Sequence, residues 1–267
     1  MMTAPAPDAP VPPDPFQFAM AERDAAAISL VADALAENRT RLAFQPIVLA
    51  QQPQTVAFYE GLVRVLDEGG RIIPARAFMG AIAETDLGRQ IDTAALSRAF
   101  DVLVRTPSLR LSVNLSARSI ADYGWRGVLD RNLTMYRGVG QRLIFEISET
   151  SAMFLHEVVV RFMRDMQPHG VSFALDGFGA GLTSFRHLKD FYFDMVKIDK
   201  SFAAGIAGDP DNQVLTEALV TVARQFEMFT VADGVEQPAD LAFLQGLGVD
   251  CVQGNLIDVP RMHLARR

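Results

Sequence analysis

The chain has 267 residues, 49% of them apolar and 21% charged, with 25 basic against 32 acidic side chains and a net charge of −7. This composition excludes an intrinsically disordered chain and a surface that wraps nucleic acid, while leaving room for a local basic pocket holding one small phosphate ligand. The length suits one or two ordinary domains, or a single α/β barrel of about 250 residues.

Six of the fourteen prolines fall within residues 1–15, which therefore read as an extended, disordered tail. Residues 16–39 turn helical, with Ile28, Val31 and Leu35 on one face and Glu22, Arg23, Asp33 and Glu37 largely elsewhere. This segment reads as a helix docking on the main body or coupling it to a partner. Residues 40–267 then form one domain. Short apolar runs alternate there with stretches of helical period: Leu42–Leu49, Val56–Val65, Leu109–Leu115, Leu143–Ile147, Val171–Leu175, Met195–Ile198, Phe229–Ala232 and Cys251–Val252. The first two runs are joined by Gln51-Gln52-Pro53-Gln54, a hairpin, and the rest by connections long enough for a helix. One hairpin followed by βα repeats predicts an α/β fold, a modified TIM (β/α)8 barrel whose first strand is antiparallel. An open doubly wound sheet is the alternative.

Cys251 is the only cysteine, so internal disulfides and cysteine-based zinc sites are excluded, as suits a reducing compartment. The four histidines, His156, His169, His187 and His263, show no H-x-x-x-H spacing. No apolar run approaches the roughly 18 residues that span a bilayer. The N-terminus lacks both a basic residue before Arg23 and an apolar core of a secretory signal. A soluble, cytoplasmic protein without membrane or nucleic-acid partners is expected.

What ends each apolar run carries the functional information. Glu60, Asn114, Glu146, Asp176, Lys197, Asp233 and Gln253 sit in or at the ends of seven successive strands. In a parallel barrel these ends meet on one face, where βα-loop barrels place their chemistry. Any one of these residues alone has a bland reading as a turn former or a solvated side chain. Seven together define a rim. Glu60, Asn114, Glu146 and Asp176 form an all-oxygen set with three negative charges, which suits Mg²⁺ or Mn²⁺ (or Ca²⁺) and argues against zinc or copper. Lys197 adds a cation, and Arg64 lies on the same strand face as Glu60. Cation, lysine and arginine around one cleft read as a phosphate site, with structural ion pairing as the alternative for Arg64 and Lys197.

The blocks FQPI (44–47), EGLVR (60–64), VNLS (113–116), FEISE (145–149), LDGFGAG (175–181), KID (197–199), VADGVE (231–236) and QG (253–254) resemble, in order and spacing, the EAL domain. This family comprises bacterial phosphodiesterases that open cyclic di-GMP to linear pGpG. The resemblance implies that Glu60, Asn114, Glu146 and Asp176 hold one metal, and that Lys197, Asp233 and Gln253 serve catalysis. It also implies that Gln45, Glu60, Arg64, Asp199 and Glu236 line the ligand site. Glu149 would brace the loop from Phe178 to Phe185, which in the family couples the metals to homodimerisation. The chain departs from the pattern where a second metal would sit. The family's paired aspartates become Asp176-Gly177, and its glutamate after the seventh strand becomes Asp233, shorter by about 1.5 Å. Asn255 stands where an aromatic is common, and Ala180 where the family has threonine. Misplacement by about 1 Å can cost on the order of 10²-fold in a positioned reaction. The expectation is a domain that binds cyclic di-GMP with one Mg²⁺ or Mn²⁺ and hydrolyses it poorly, in concert with a regulatory protein partner. An active phosphodiesterase and a scaffold without nucleotide binding are the alternatives. The glycines at 177–181 do not make a dinucleotide fingerprint, because Leu182 or Ser184 takes the third glycine's place.

Overall fold

A computed structural model describes residues 15–181 and 185–264, the side chains of Pro15, Phe185 and Arg186 aside. The tail expected over residues 1–15 therefore lies outside the described residues, apart from Pro15, which opens the first helix. The strands are β1 (Thr40–Leu49), β2 (Gln52–Leu66), β3 (Ile72–Pro74), β4 (Leu111–Asn114), β5 (Leu143–Ser148), β6 (Ser172–Phe178), β7 (Met195–Ile198), β8 (Phe229–Ala232) and β9 (Cys251–Val252). The helices are α1 (Pro15–Ala36), α2 (Met79–Ile82), α3 (Asp86–Arg105), α4 (Tyr123–Met135), α5 (Glu149–Phe154), α6 (His156–Met166), α7 (Lys200–Ala203), α8 (Pro210–Gln225) and α9 (Pro238–Leu247).

Hydrogen bonding runs β1-β9-β8-β7-β6-β5-β4-β2, and β1 pairs back with β2, so eight strands close into a barrel. β1 is antiparallel to both β2 and β9, while the other ring pairings are parallel. The barrel with one reversed strand is the expected fold. Its details differ from the sequence reading in three places. The hairpin turn is tighter than expected: Leu49 pairs with Gln52, so Gln52-Pro53-Gln54 belongs to β2. Those residues lie on a strand end reaching past the barrel, where glutamine side chains stay in water. β3 is a ninth strand attached only to β2; at three residues it is too short to carry a period. β6 continues through Gly177 to Phe178 across a register irregularity.

Both faces of the barrel strands are buried, and alternation sorts the residues between them. Leu111, Val113, Phe145, Ile147, Phe173, Leu175, Val196 and Ile198 point outward and pack beneath the helices, where Trp125, Phe145, Phe162 and Phe173 form a cluster with ring centroids 5.5–6.1 Å apart. The inward residues Ile47, Phe58, Ile144, Ala174, Met195, Val231 and Cys251 fill the lower barrel. Helices α3, α4 and α8 open on side-chain caps: Thr85 accepts from the Leu87 amide, Asp122 from Trp125, and Asp209 from Asp211 and Asn212.

Helix α1 docks through Val31 and Ala34, both fully buried, against Val65, Ile73, Phe78, Ile82 and Ile91. Its buried stripe is rotated from the expected one: Ile28 is exposed and Leu35 only partly covered, because β3 and α2 shape the receiving surface.

Asp92 of α3 is buried and accepts from the Ser116 amide (3.0 Å) and the Ser119 hydroxyl (2.7 Å), pinning the loop after β4 to the helix. Burial pushes its carboxyl up to about 6, although both hydrogen bonds oppose the shift. A folded-state value above the unfolded one means that the group favours folding most below about 4 and loses that contribution as pH rises through 6. Urea unfolding of wild type and Asp92→Asn should therefore show a stability difference that shifts against wild type by on the order of 3 kcal/mol between pH 4 and 7. A pH-independent difference would mean that Asp92 is not desolvated as the structure has it.

Candidate functional site at the barrel mouth

Two residues above each apolar floor residue stands a polar one. Glu60 follows Phe58, Glu146 follows Ile144, Asp176 follows Ala174, Lys197 follows Met195, Asp233 follows Val231 and Gln253 follows Cys251. On the reversed strand β1 the order inverts, and Gln45 precedes Ile47. The period of two thus builds an apolar floor and a polar rim from the same strands. Register sets the neighbours: Gln45 lies opposite Glu60, Glu60 opposite Ser112, and Asn114 opposite Glu146.

Lys197 is the hub. Its ammonium, 3% exposed, donates to Glu60 Oε2 at 3.0 Å and Glu146 Oε2 at 2.7 Å, and stands 3.9 Å from Asp176 Oδ1. Glu60 also accepts from Gln253 Nε2 (2.7 Å) and Asn114 Nδ2 (2.9 Å), while Glu146 accepts from the Ser112 hydroxyl. Gln253 reaches Gln45 Oε1 as well (3.1 Å), and Gln45 donates to the Asp258 carbonyl.

The electrostatics follow from donor count. Burial works to raise the Glu60 carboxyl, but Lys197, Gln253 and Asn114 outweigh it and hold it below its ordinary value. Glu146 has fewer donors; burial and the Glu60 charge push it up to about 8. Burial works to lower the Lys197 ammonium, and the charges of Glu146, Glu60, Asp176 and Asp233 hold it well above its usual value. Asp233 is raised by burial against the pull of Lys197. Four carboxylates against one ammonium leave surplus negative charge that a divalent cation would neutralise. The oxygens of Glu60, Asn114, Glu146 and Asp176 suit a hard ion, and the buried Gln253 Oε1 has no hydrogen-bond partner, leaving an oxygen free for the same centre.

The remaining sequence-selected residues divide. Arg64, half-buried two turns of the pleat above Glu60, donates to the Val63 carbonyl (2.9 Å); its guanidinium is lowered by burial, against the attraction of Glu60, and further by Arg76. Asp233 Oδ1 accepts from the Gly234 amide at 2.7 Å. Asp199 caps α7 through the Ser201 amide (2.9 Å), and exposed Glu236 accepts from Asn255 (3.3 Å), so neither joins the Lys197 network. Glu149, buried at the start of α5, receives the Gly179 (3.1 Å) and Gly181 (3.3 Å) amides of the loop after β6. Residues 182–184 of that loop lie outside the described residues. Gly177 has φ +73°, the left-handed region, and a Cβ there would meet nothing within 4 Å. Both the carboxylate and the ordinary backbone for one are thus missing at this position. Gly61, between Glu60 and Leu62, is packed closer: a Cβ would stand 3.2 Å from the Ser112 carbonyl oxygen.

Sequence reading missed Ser112 and Arg76. Ser112 had a signal, since it lies two residues before Asn114 and so shares its strand face. Arg76 had none, because β3 had not been recognised as the element that leads into its turn.

An α/β barrel with an acidic, lysine-balanced rim at the carboxyl ends of its parallel strands is a barrel whose chemistry sits at that mouth. The chain belongs to the EAL domain family, whose model matches residues 30–260. It is 29% identical over 235 residues to the cyclic di-GMP phosphodiesterase PdeB of Shewanella oneidensis, covering 86% of this chain and 28% of that protein. It is 28% identical over 232 residues to the signaling protein YkoW of Bacillus subtilis, covering 85% of this chain and 29% of that protein. The chain thus spans less than a third of the length of these relatives. The FimX EAL domain from Pseudomonas aeruginosa bound to c-di-GMP superposes with a TM-score of 0.81 at 26% identity, covering 89% of this chain and 97% of that one. The PaMucR phosphodiesterase in its c-di-GMP complex gives 0.79 at 27% identity, over 88% and 97%. No helix among the described residues is long and apolar enough to cross a membrane.

Removing Lys197 leaves two buried carboxylates without their cation. Lys197→Met should lower stability to urea by about 3–5 kcal/mol in metal-free buffer at pH 7. Adding Glu146→Gln should recover part of that loss, a coupling read from the double-mutant cycle. Strict additivity would show that the ammonium does not balance Glu146.

Proposed function

We propose that this EAL domain binds cyclic di-GMP across the barrel mouth together with one Mg²⁺ or Mn²⁺, and turns it over slowly. The observation that carries the reading is the asymmetry of the rim. Glu60, Asn114, Glu146 and Asp176 are gathered around Lys197, whereas Gly177 faces open space and Asp233 is drawn to its own loop amide. The first four supply the ion's oxygens. When bound, the ion polarises a phosphodiester and acidifies a water molecule. Arg64 meets a phosphate of the ligand, with Gln45, Asp199 and Glu236 lining the approach. Lys197 stabilises the charge that develops on the equatorial oxygens, and Gln253 holds Glu60 in place for it. In-line displacement also needs the leaving oxygen stabilised, and a glycine at 177 offers nothing for that.

The same reading puts the protein in the cytoplasm, as a homodimer answering to a regulatory protein partner. A competing reading, full phosphodiesterase activity, draws on the open space beside Gly177, which has room for a bridging water.

Calorimetry with cyclic di-GMP, with and without Mg²⁺ or Mn²⁺, should show binding, which Arg64→Ala weakens. Chromatography of the same mixtures should find pGpG forming far below about 1 s⁻¹, an ordinary enzyme rate. Turnover at or above that rate would establish the competing reading, and absence of binding would leave a protein-interaction scaffold. Gly177→Asp with Asp233→Glu should raise the rate. The left-handed backbone at residue 177 opposes this change by roughly 1 kcal/mol, a cost that aspartate bears better than most side chains.

A further inference from the structure

We infer that His156, His187 and Asp190 form a second metal site, outside the barrel mouth, that takes a four-coordinate transition-metal ion of the zinc type. One ligand atom from each lies within 4.8 Å of the others, the only such group of histidine, cysteine or acidic side chains among the described residues. The mouth carboxylates are not gathered this closely, since Lys197 stands between them.

The geometry is that of a coordination shell with its centre left open. His156 Nε2 is 3.4 Å from Asp190 Oδ2, and His187 Nδ1 is 3.7 Å from the same oxygen. A tetrahedral ion with bonds of about 2.0–2.1 Å sets its ligand atoms about 3.4 Å apart. The His156–Asp190 edge already matches, and the two edges to His187 close by rotation of its side chain, 47% exposed. A plain ion pair accounts for less. His156 Nε2 is buried and has no hydrogen-bond partner, so its approach to Asp190 is close but misaligned for donation. Such an atom ordinarily finds a partner. Two imidazoliums converging on one carboxylate oxygen would also repel each other, whereas neutral imidazoles satisfy an ion jointly. Phe191, buried, packs edge-on against the His156 ring at 4.7 Å and fixes its direction.

Nitrogen ligands separate this site from the all-oxygen mouth: imidazole suits zinc and its neighbours, while Mg²⁺ prefers oxygen. His156 opens α6, and His187 and Asp190 lie on the short 3-10 turn Phe185–Asp190. With three protein ligands and partial exposure of all three, a water completes the shell, as in open sites. A bound ion therefore ties α6 to the segment leading from Asp176 to β7, which carries Lys197.

Equilibrium dialysis of the full chain against Zn²⁺, in excess Mg²⁺ and without nucleotide, tests the assignment separately from cyclic di-GMP binding. Wild type should hold one equivalent more than His156→Ala, His187→Ala or Asp190→Asn, while Cys251→Ser should match wild type. Co²⁺ should give the visible bands of a four-coordinate ion in wild type and lose them in the histidine variants. His187 and Asp190 are partly exposed, so their variants should keep the wild-type urea midpoint in chelator and remain folded for the comparison. Equal Zn²⁺ uptake by wild type and all three variants, or no uptake by wild type beyond the mouth, would overturn the assignment.

Discussion

The structure turns on one buried ammonium held between two buried carboxylates. Taking an ion out of water costs several kcal/mol even after relaxation, and only close, well-aligned partners return it. Lys197, Glu60 and Glu146 come from β7, β2 and β5, so no local segment can assemble them. Barrel closure does. A one-residue slip of any of these strands would turn its charged side chain to the outer, apolar face and leave the partners uncompensated. Fold and site are therefore specified together, and the rim polices the register that the apolar floor sets up.

The same charge balance explains why the rim is chemically unfinished as protein alone. Glu60 takes most of the donors and is held below its ordinary value, while Glu146, with fewer donors, is raised by burial and by the Glu60 charge. Asp176, partly open to solvent, sits at the edge of the ammonium's reach. A cation entering beside it, as proposed, would meet carboxylates held by hydrogen bonds and would draw them from Lys197. Such a cation would offset the charge surplus that the buried carboxylates leave in the interior.

Much of this was legible in the residues because two simple patterns coincide. The apolar runs mark the strands, and the polar residue ending each run marks the rim, since the period of two places it directly above a floor residue. Glu146 over Ile144 and Lys197 over Met195 can be read in this way without coordinates. Other features leave no such trace. Three-residue β3 has no period, and the left-handed backbone of Gly177 looks in sequence like any glycine. His156 and His187 are separated by α6 and β6, so no spacing rule joins them; only the packing of α6 beside the turn before β7 does. Distance along the chain was informative inside the barrel, where strands repeat, and uninformative outside it, where helices and turns meet irregularly.

The asymmetry of the mouth on which the proposal rests has a physical reading as well. Glu60, Glu146, Lys197 and Gln253 are interlocked, so replacing any one strands a buried polar partner at a cost of about 1–3 kcal/mol or more. Residue 177 is under no such constraint. It lies within the register irregularity of β6, has open space where a Cβ would stand, and offers its neighbours only a backbone carbonyl, which accepts from the Ala180 amide. Asp233 is intermediate: shortened, it still satisfies itself through the Gly234 amide. Change at these two positions therefore leaves the barrel intact, while change at the hub would not. On the proposed reading, the two positions that set this chain apart fall where the barrel's stability is least engaged. If the proposal holds, a receptor can emerge from an enzyme without passing through an unstable fold, because the residues proposed to hold the ligand's cation are also interlocked with the barrel.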